Sequence, residues 1–199
     1  MNNQLLGNSS HGLIFVISAP AGTGKTTLVN MLTHEFPAVV RSVSCTTRQP
    51  RPSEHEGKDY LFLSKEAFEA KIEQGDFLEH AQVFGDYYGT SQAFVKKQQA
   101  LGKHVVLVID TQGALQLQKQ LKEAIFIFIS PPSLVELKER LHKRKTENPQ
   151  SIEERLAWAR RELEMVSHYD YHIINDHLET AYTVLKSIFI AEEHKVRRK

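Results

Sequence analysis

Only one cysteine, Cys45, stands among the 199 residues, so no intramolecular disulfide can form and a reducing cytoplasm is the expected compartment. Long apolar runs are also missing. Stretches such as Val105–Ile109 and Ile125–Ile129 are far too short to span a bilayer and read as core strands. No sign of charge dominates: 25 Lys and Arg stand against 24 Asp and Glu, a net charge of +1, so no global field argues for a nucleic-acid or membrane partner. Met1 to Gly12 is polar, with no basic stretch feeding a longer apolar one, and no secretory signal is expected. The chain shows no internal repeat and no low-complexity tract. Its length suits one globular domain with room for small inserted subdomains.

What is present begins with a phosphate site built from backbone. The apolar run Leu13-Ile-Phe-Val-Ile17 leads into Ser18-Ala-Pro-Ala-Gly-Thr-Gly-Lys-Thr-Thr27, which reads as a P-loop. A buried strand ends at Ser18, small residues turn the chain, and Lys25 opens a helix whose first amides point back at the turn. Free N–H groups and the helix dipole favour negative charge there. Residues Ala19, Pro20, Ala21, Gly22, Thr23, Gly24, Lys25 and Thr26 are therefore expected to hold ATP. Lys25 reaches the β and γ phosphates, and the Thr26 hydroxyl is placed to ligate Mg²⁺. Ala19 stands where the motif's first glycine belongs, while Gly22 and Gly24 keep close backbone approach available.

Apolar runs at Leu13–Ile17, Val39–Val43, Val105–Ile109, Ile125–Ile129 and Tyr171–Ile174 alternate with helical-period stretches, the pattern of an α/β protein with a largely parallel sheet. The spacing predicts helices from Lys25 to His34, halted before Pro37, and from Leu134 to Leu141, with Ser133 as N-cap. Another should run from after Ser151 to Ser167 with Ile152, Leu156, Ala159 and Leu163 on one face. A last helix should extend from Leu178 into the basic end His194-Lys-Val-Arg-Arg-Lys199, whose cations complement the helix dipole.

Between Thr46 and Thr90 the texture changes to Pro, Gly, Arg and Tyr, with short strand-like pieces at Tyr60–Leu63 and Phe77–Phe84. A helix from Lys65 to Gln74, capped by Ser64, lies between them, and Tyr87-Tyr-Gly-Thr90 reads as a turn. This is an inserted subdomain, since a linker would lack its aromatic residues. Arg140 to Arg155 is polar, cationic and broken by Asn148-Pro149, and reads as a lid between two helices.

Arg48 and Arg51 lie on a Pro-stiffened loop just past a strand, and two guanidinium forks at fixed spacing suit a phosphate. Tyr60 and the Tyr87–Thr90 segment add hydroxyls. Taken singly, each tyrosine reads more readily as a packing aromatic, and Glu79 as a solvated strand carboxylate. Asp110 closes a continuous apolar strand at its carboxyl edge, where ligands of open α/β sheets bind. Cys45 reads as a small packing residue, and His168-Tyr-Asp-Tyr-His172 lacks metal-ligand spacing.

Taken together, Ser18-Ala-Pro, Ser42-Val-Ser-Cys-Thr-Thr-Arg-Gln-Pro-Arg51, Gly57-Lys-Asp-Tyr60, Phe77-Leu-Glu-His80, Tyr87-Tyr-Gly-Thr90, Ile109-Asp-Thr-Gln-Gly113 and Pro131-Pro-Ser133 resemble the guanylate kinase family, block by block and in its order. The resemblance spans Leu13 to Phe189. It implies a P-loop kinase fold: a largely parallel sheet flanked by helices, with an inserted nucleoside-monophosphate-binding subdomain and a helical lid. Within a single domain, 1–199, it divides the chain into a core (13–36, 98–135 and 160–199), a GMP-binding subdomain (37–92) and a lid (136–159).

The implied reaction is ATP-dependent phosphorylation of GMP, and of dGMP, to the diphosphate, with Mg²⁺ as cofactor and a place in purine nucleotide metabolism and GMP recycling. By resemblance Ser44, Glu79 and Thr90 face the guanine, while Arg48, Arg51, Tyr60 and Tyr88 hold the GMP phosphate. Asp110 sits near GMP and contacts Mg²⁺ through water. Arg140, Arg144 and Arg155 close over ATP, with Lys25, Arg48, Arg144 and Arg155 as the catalytic set and Asn175 on the adenine side. Four departures accompany this likeness: Val108 where an acid is usual, Lys145 after the second lid arginine, Asn148-Pro149-Gln150 in place of a more acidic run, and His177 after Asp176. Two other readings stay open on the residues alone: a P-loop kinase for another phosphorylated acceptor, such as a ribose bisphosphate, and a non-catalytic binding module of the same fold.

Overall fold

The computed structural model describes residues 5–143 and 149–196. In chain order its first half runs β1 (Ile14–Ser18), α1 (Lys25–Glu35), β2 (Val39–Arg41), β3 (Cys45–Thr46), β4 (Leu61–Phe62), α2 (Lys65–Glu73), β5 (Phe77–Val83) and β6 (Asp86–Ser91). The second half runs α3 (Gln92–Ala100), β7 (His104–Val108), α4 (Thr111–Gln120), β8 (Ile125–Ser130), α5 (Leu134–Lys143), α6 (Pro149–Glu164), a 3₁₀ turn (Met165–His168), β9 (Tyr171–Ile174) and α7 (Leu178–His194).

Strands β2, β7, β1, β8 and β9 form, in that order, an all-parallel sheet. Because helices cover both of its faces, its middle strands have no wet side, and β1 and β8 are buried at every position. Phe15, Ile17, Ile127 and Ile129 pack on one face with Leu28, Leu32, Leu185 and Phe189, from α1 and α7. Val16, Val105 and Leu107 pack on the other with Val95, Ala114 and Leu117, from α3 and α4. Strand order reverses around β1, so the carboxyl ends of β1 and β7 open a crevice at the topological switch point.

The second sheet, β4-β3-β6-β5, is mostly antiparallel. Tyr87–Thr90 is strand here and not the expected turn. The chain instead reverses at Phe84-Gly85, where both residues hold positive φ, 52° and 90°. Strand β2, inside the 37–92 segment, pairs with β7 in the central sheet, so the four-stranded unit starts at β3.

Helices α1, α2, α5 and α7 start where the sequence places them, whereas α6 begins at Pro149, ahead of the expected start after Ser151, and ends at Glu164 short of Ser167. Ser64 and Ser133 cap α2 and α5 through their hydroxyls. On α6, Ile152, Leu156 and Ala159 pack against Leu137 and Leu141 of α5, whereas Leu163 is only half-buried and its neighbour Glu162 is buried instead. Arg140 therefore lies on α5 and Arg155 on α6. Arg144, Lys145 and Asn148 lie outside the described residues, as do Arg197, Arg198 and Lys199 of the basic end.

Candidate active site

Between the P-loop, the carboxyl ends of β1 and β7, the inner face of β5–β6 and the side of α6 lies a cleft of about 290 Å³. Ala19 through Thr27 form its floor. The loop keeps its shape through short-range bonds: the Thr23 amide and hydroxyl both donate to the Pro20 carbonyl, at 3.3 and 2.8 Å, and Lys25 Nζ donates to the Ala19 carbonyl at 2.9 Å. Gly24, with φ +89°, precedes α1 in a left-handed conformation that leads the chain into the helix. Its bare Cα also admits the Asn175 amide, whose nitrogen would lie 2.6 Å from an added Cβ.

Asn175 is buried and donates through Nδ2 to the Thr23 carbonyl at 2.6 Å. Arg140 in turn donates to the Asn175 carbonyl at 2.9 Å and to Glu136 at 3.0 Å. These two residues brace the P-loop from behind and do not line the cleft.

The opposite wall is made by alternation on β5 and β6. Glu79, Ala81 and Val83 line the cleft, as do Tyr88 and Gly89 from β6. A bulge between Phe77 and Glu79 puts Glu79 opposite Thr90, which donates to Glu79 Oε1 at 2.6 Å from a fully buried hydroxyl. Without that extra residue Phe77 and Glu79 would share a face. With it, Phe77 turns outward to stack on Phe68, ring centroids 4.5 Å apart, and Glu79 turns in. Burial pushes the Glu79 carboxyl up to about 7, against the opposing pull of the Thr90 hydroxyl.

Ser44 lines the same wall. Beside it the loop after β3 carries Arg48, whose Nη2 meets both oxygens of Glu54, at 2.8 and 2.9 Å, while Nη1 donates to the Gln49 carbonyl at 2.7 Å. Glu54 also accepts the Arg51 amide at 2.8 Å, so one carboxylate spaces the two arginines. Arg48 lies 5.5 Å over the Tyr60 ring, and Tyr60 meets Tyr88 edge-on at 6.0 Å. Arg51, Tyr60 and Tyr88 reach the cleft, whereas Arg48 stands just behind them.

Between these two walls sits Asp110. It caps α4, with Oδ1 accepting the Gly113 amide at 2.9 Å, and burial raises its pKa while that bond and Lys25 oppose the rise. Gly113 also lets α4 approach Glu79: an added Cβ would stand 2.5 Å from Glu79 Oε2. Lys25 responds to the same environment in the opposite sense. Desolvation lowers its pKa, with the carboxylates of Glu162 and Asp110 pulling it back up.

Helix α6 closes the remaining side with Arg155, Trp158 and Glu162. The i, i+3, i+7 spacing puts all three on one helical face. Glu162 is 5% exposed, and burial raises its pKa to about 7. Sequence reasoning assigned no role to Glu54, Gly113 or Glu162. For Glu162 the signal was there, nearly two turns past Arg155 on the same stripe; Glu54 and Gly113 gave none before their contacts were known.

The cleft's donors are hydroxyl, carboxylate, ammonium and guanidinium groups, and neither cysteine nor histidine lines it. Thr26 and Asp110 thus offer the oxygen ligands that suit a hard cation such as Mg²⁺. Among the described residues no cluster of histidine, cysteine and acidic side chains forms a metal site of its own, and Cys45 is buried as packing.

Comparison with known proteins places the chain in one family over nearly its whole length. A profile of the guanylate kinase family matches residues 12–192. The guanylate kinase of Protochlamydia amoebophila (strain UWE25) is 60% identical over 193 residues, 97% of this chain and 98% of that one. That of Chlamydia trachomatis serovar D is 50% identical over 184 residues, 92% of this chain and 89% of the other. Among solved structures, guanylate kinase from Anaplasma phagocytophilum superposes with a TM-score of 0.80 at 35% identity, covering 94% of this chain and 89% of its own.

Proposed function

The chain belongs to the guanylate kinase family, whose reaction is phosphorylation of GMP to GDP, and on that premise we propose how its cleft divides the work. ATP lies on the P-loop, with Lys25 turning from the Ala19 carbonyl to the β and γ phosphates. GMP lies along β3, β5 and β6. Ionised Glu79 accepts both N1–H and N2–H₂ of guanine, while O6 accepts from the Ser44 hydroxyl and from that of Thr90, turned from Glu79. Adenine presents the opposite donor pattern and would leave buried Glu79 unpaired, a mismatch worth roughly 10⁴-fold in discrimination. Arg48, Arg51, Tyr60 and Tyr88 hold the acceptor phosphate, which is already an anionic nucleophile and needs no general base.

Arg155, together with Arg144, neutralises charge on the transferring group, and Arg140 and Asn175 support the ATP side by holding the loop. Thr26, and Asp110 through water, are the residues that would hold Mg²⁺, which supplies charge neutralisation across the β and γ phosphates when bound. This reading assigns no residue to the ribose 2′ position, and it therefore includes dGMP as an acceptor. ATP and GMP are the partners of this reading, which includes no nucleic acid and no membrane and sits in the cytoplasm. Among the described residues no helix is long and apolar enough to cross a membrane.

The observation that carries this assignment is that buried Glu79 and the P-loop line one cleft with Asp110 between them. ADP release measured with GMP, AMP, dTMP and a ribose bisphosphate tests it. GMP should be strongly preferred; preference for AMP would refute the guanine site, and no turnover with any acceptor would refute the kinase reading.

A further inference from the structure

The turn joining β5 to β6 carries an unusual residue at its tip. Phe84 holds φ +52°, the sole positive φ on a non-glycine residue among those described, and the residue is 55% exposed. Bulky side chains rarely keep this conformation unless their surroundings hold them in it. Here the ring meets Trp158 of α6, centroids 5.4 Å apart, and the Arg155 guanidinium lies 5.9 Å over its face. All three line the cleft. The acceptor-side hairpin and the lid helix, 71 positions apart along the chain at Phe84 and Arg155 (155 less 84), therefore touch through one aromatic cluster.

We propose that Phe84 is a positioning residue for phosphoryl transfer: its ring, clamped against Trp158, holds the Arg155 guanidinium at the mouth of the cleft and fixes the approach of α6. The inference rests on the role given above to Arg155. Three features of the geometry support it. An arginine is long and flexible, and a ring face removes rotamer freedom that would otherwise be lost when the arginine binds phosphate. Trp158 is an amphipathic anchor with area enough to register the helix against the hairpin. The same helical stripe continues to Glu162 beside the P-loop lysine, so the clamp sets both α6 side chains that face the nucleotides. Because β5 and β6 also carry Glu79, Thr90 and Tyr88, GMP that orders this sheet also orders Arg155.

Trp158 is the chain's one tryptophan, so its emission reports the cluster directly. In Phe84→Gly and Phe84→Ala, kcat with saturating ATP and GMP should fall about tenfold, the size of one partly desolvated cation–π contact, while the KM for GMP changes by less than about twofold. Trp158 emission should shift to the red in both. Glycine relieves the backbone strain at φ +52° and alanine does not, so equal activity losses despite unequal melting temperatures separate positioning from folding. Phe84→Tyr, which keeps the ring face, should retain parental kcat, and Phe84→Leu should not. Combining Phe84→Gly with Arg155→Ala should lower kcat no further than Arg155→Ala alone. Parental kcat in Phe84→Gly alongside an impaired Arg155→Ala would overturn this inference alone. Parental kcat in Arg155→Ala would overturn it by removing the assigned role of Arg155.

Discussion

The Thr90 hydroxyl donates to Glu79 Oε1 at 2.6 Å across two strands brought into register by a single bulged residue. This pair joins the wall proposed to read the base to the electrostatics of the whole cleft. Glu79, Asp110 and Glu162 all have raised pKa values, chiefly from burial, and all line that cleft.

Replacing Glu79 should make the protein more stable and less able to bind GMP. Its folded pKa is about 7 against an ordinary 4.5. Between those values the folded chain holds a proton that the unfolded chain has lost, so stability from this site falls as pH rises and is least above pH 7. Glu79→Gln carries no charge, and its amide oxygen still accepts from Thr90. Calorimetry should show a higher Tm than the parent at pH 8, reflecting about 1–3 kcal/mol of added stability, with the gain shrinking toward pH 5. A lower Tm at pH 8 would contradict the raised pKa. The KM for GMP should rise by about 10², since the amide presents a donor to guanine's own donors.

Gly113→Ala tests the close approach of α4 to the base site. The new methyl group would stand 2.5 Å from Glu79 Oε2, forcing the carboxylate aside. We expect the KM for GMP to rise about tenfold with the KM for ATP nearly unchanged, because the displaced group belongs to one wall only. Equal weakening of both nucleotides would mean that α4 itself had moved.

Glu54 holds Arg48 and Arg51, the two arginines proposed for the acceptor phosphate, from outside the cleft. Glu54→Ala removes the acceptor of Arg48 Nη2 and of the Arg51 amide together. Arg48 is freed of its neutralising carboxylate but loses its fixed direction. If preorganisation outweighs charge, the KM for GMP rises about tenfold, with kcat falling by less. Isothermal titration with GMP alone checks this, and tighter binding would show that Glu54 competes with the phosphate instead of aiming the arginines.

Gly24→Ala should damage the P-loop for two additive reasons. The residue sits at φ +89°, and its new Cβ would lie 2.6 Å from Asn175 Nδ2. Strain of this kind costs about 1–3 kcal/mol, and moving Asn175 frees the Thr23 carbonyl that it holds. Thermal melts should show a lower Tm and little or no further stabilisation by ATP. An unchanged ATP-induced shift would show that the loop tolerates a side chain there.

Local chemistry made some of this legible in advance. The P-loop could be read because its function lies in backbone shape, and small residues between a buried strand and a helix leave that shape little choice. Parallel-strand character showed in apolar runs, and helix starts showed in Ser64 and Ser133. Tyr87–Thr90 misled because glycine beside polar and aromatic residues looks like a turn, whereas the reversal is made at Phe84-Gly85 and the segment itself is strand. Glu79 needed family likeness to stand out, since nothing local distinguishes a buried strand carboxylate from a solvated one.

By itself, then, the sequence determined a phosphate-binding loop, the class of sheet around it and a blockwise likeness to guanylate kinases. Each of these depends on neighbours in the chain or on the order of motifs. Only the tertiary structure decided that Glu79 faces inward, that Glu54 spaces Arg48 and Arg51, that Glu162 stands by Lys25, and that Phe84 meets Trp158. All four turn on which side chains share a face or a cavity, and that follows from a bulge, a helical rotation and contacts between distant segments, which periodicity along a single element does not encode.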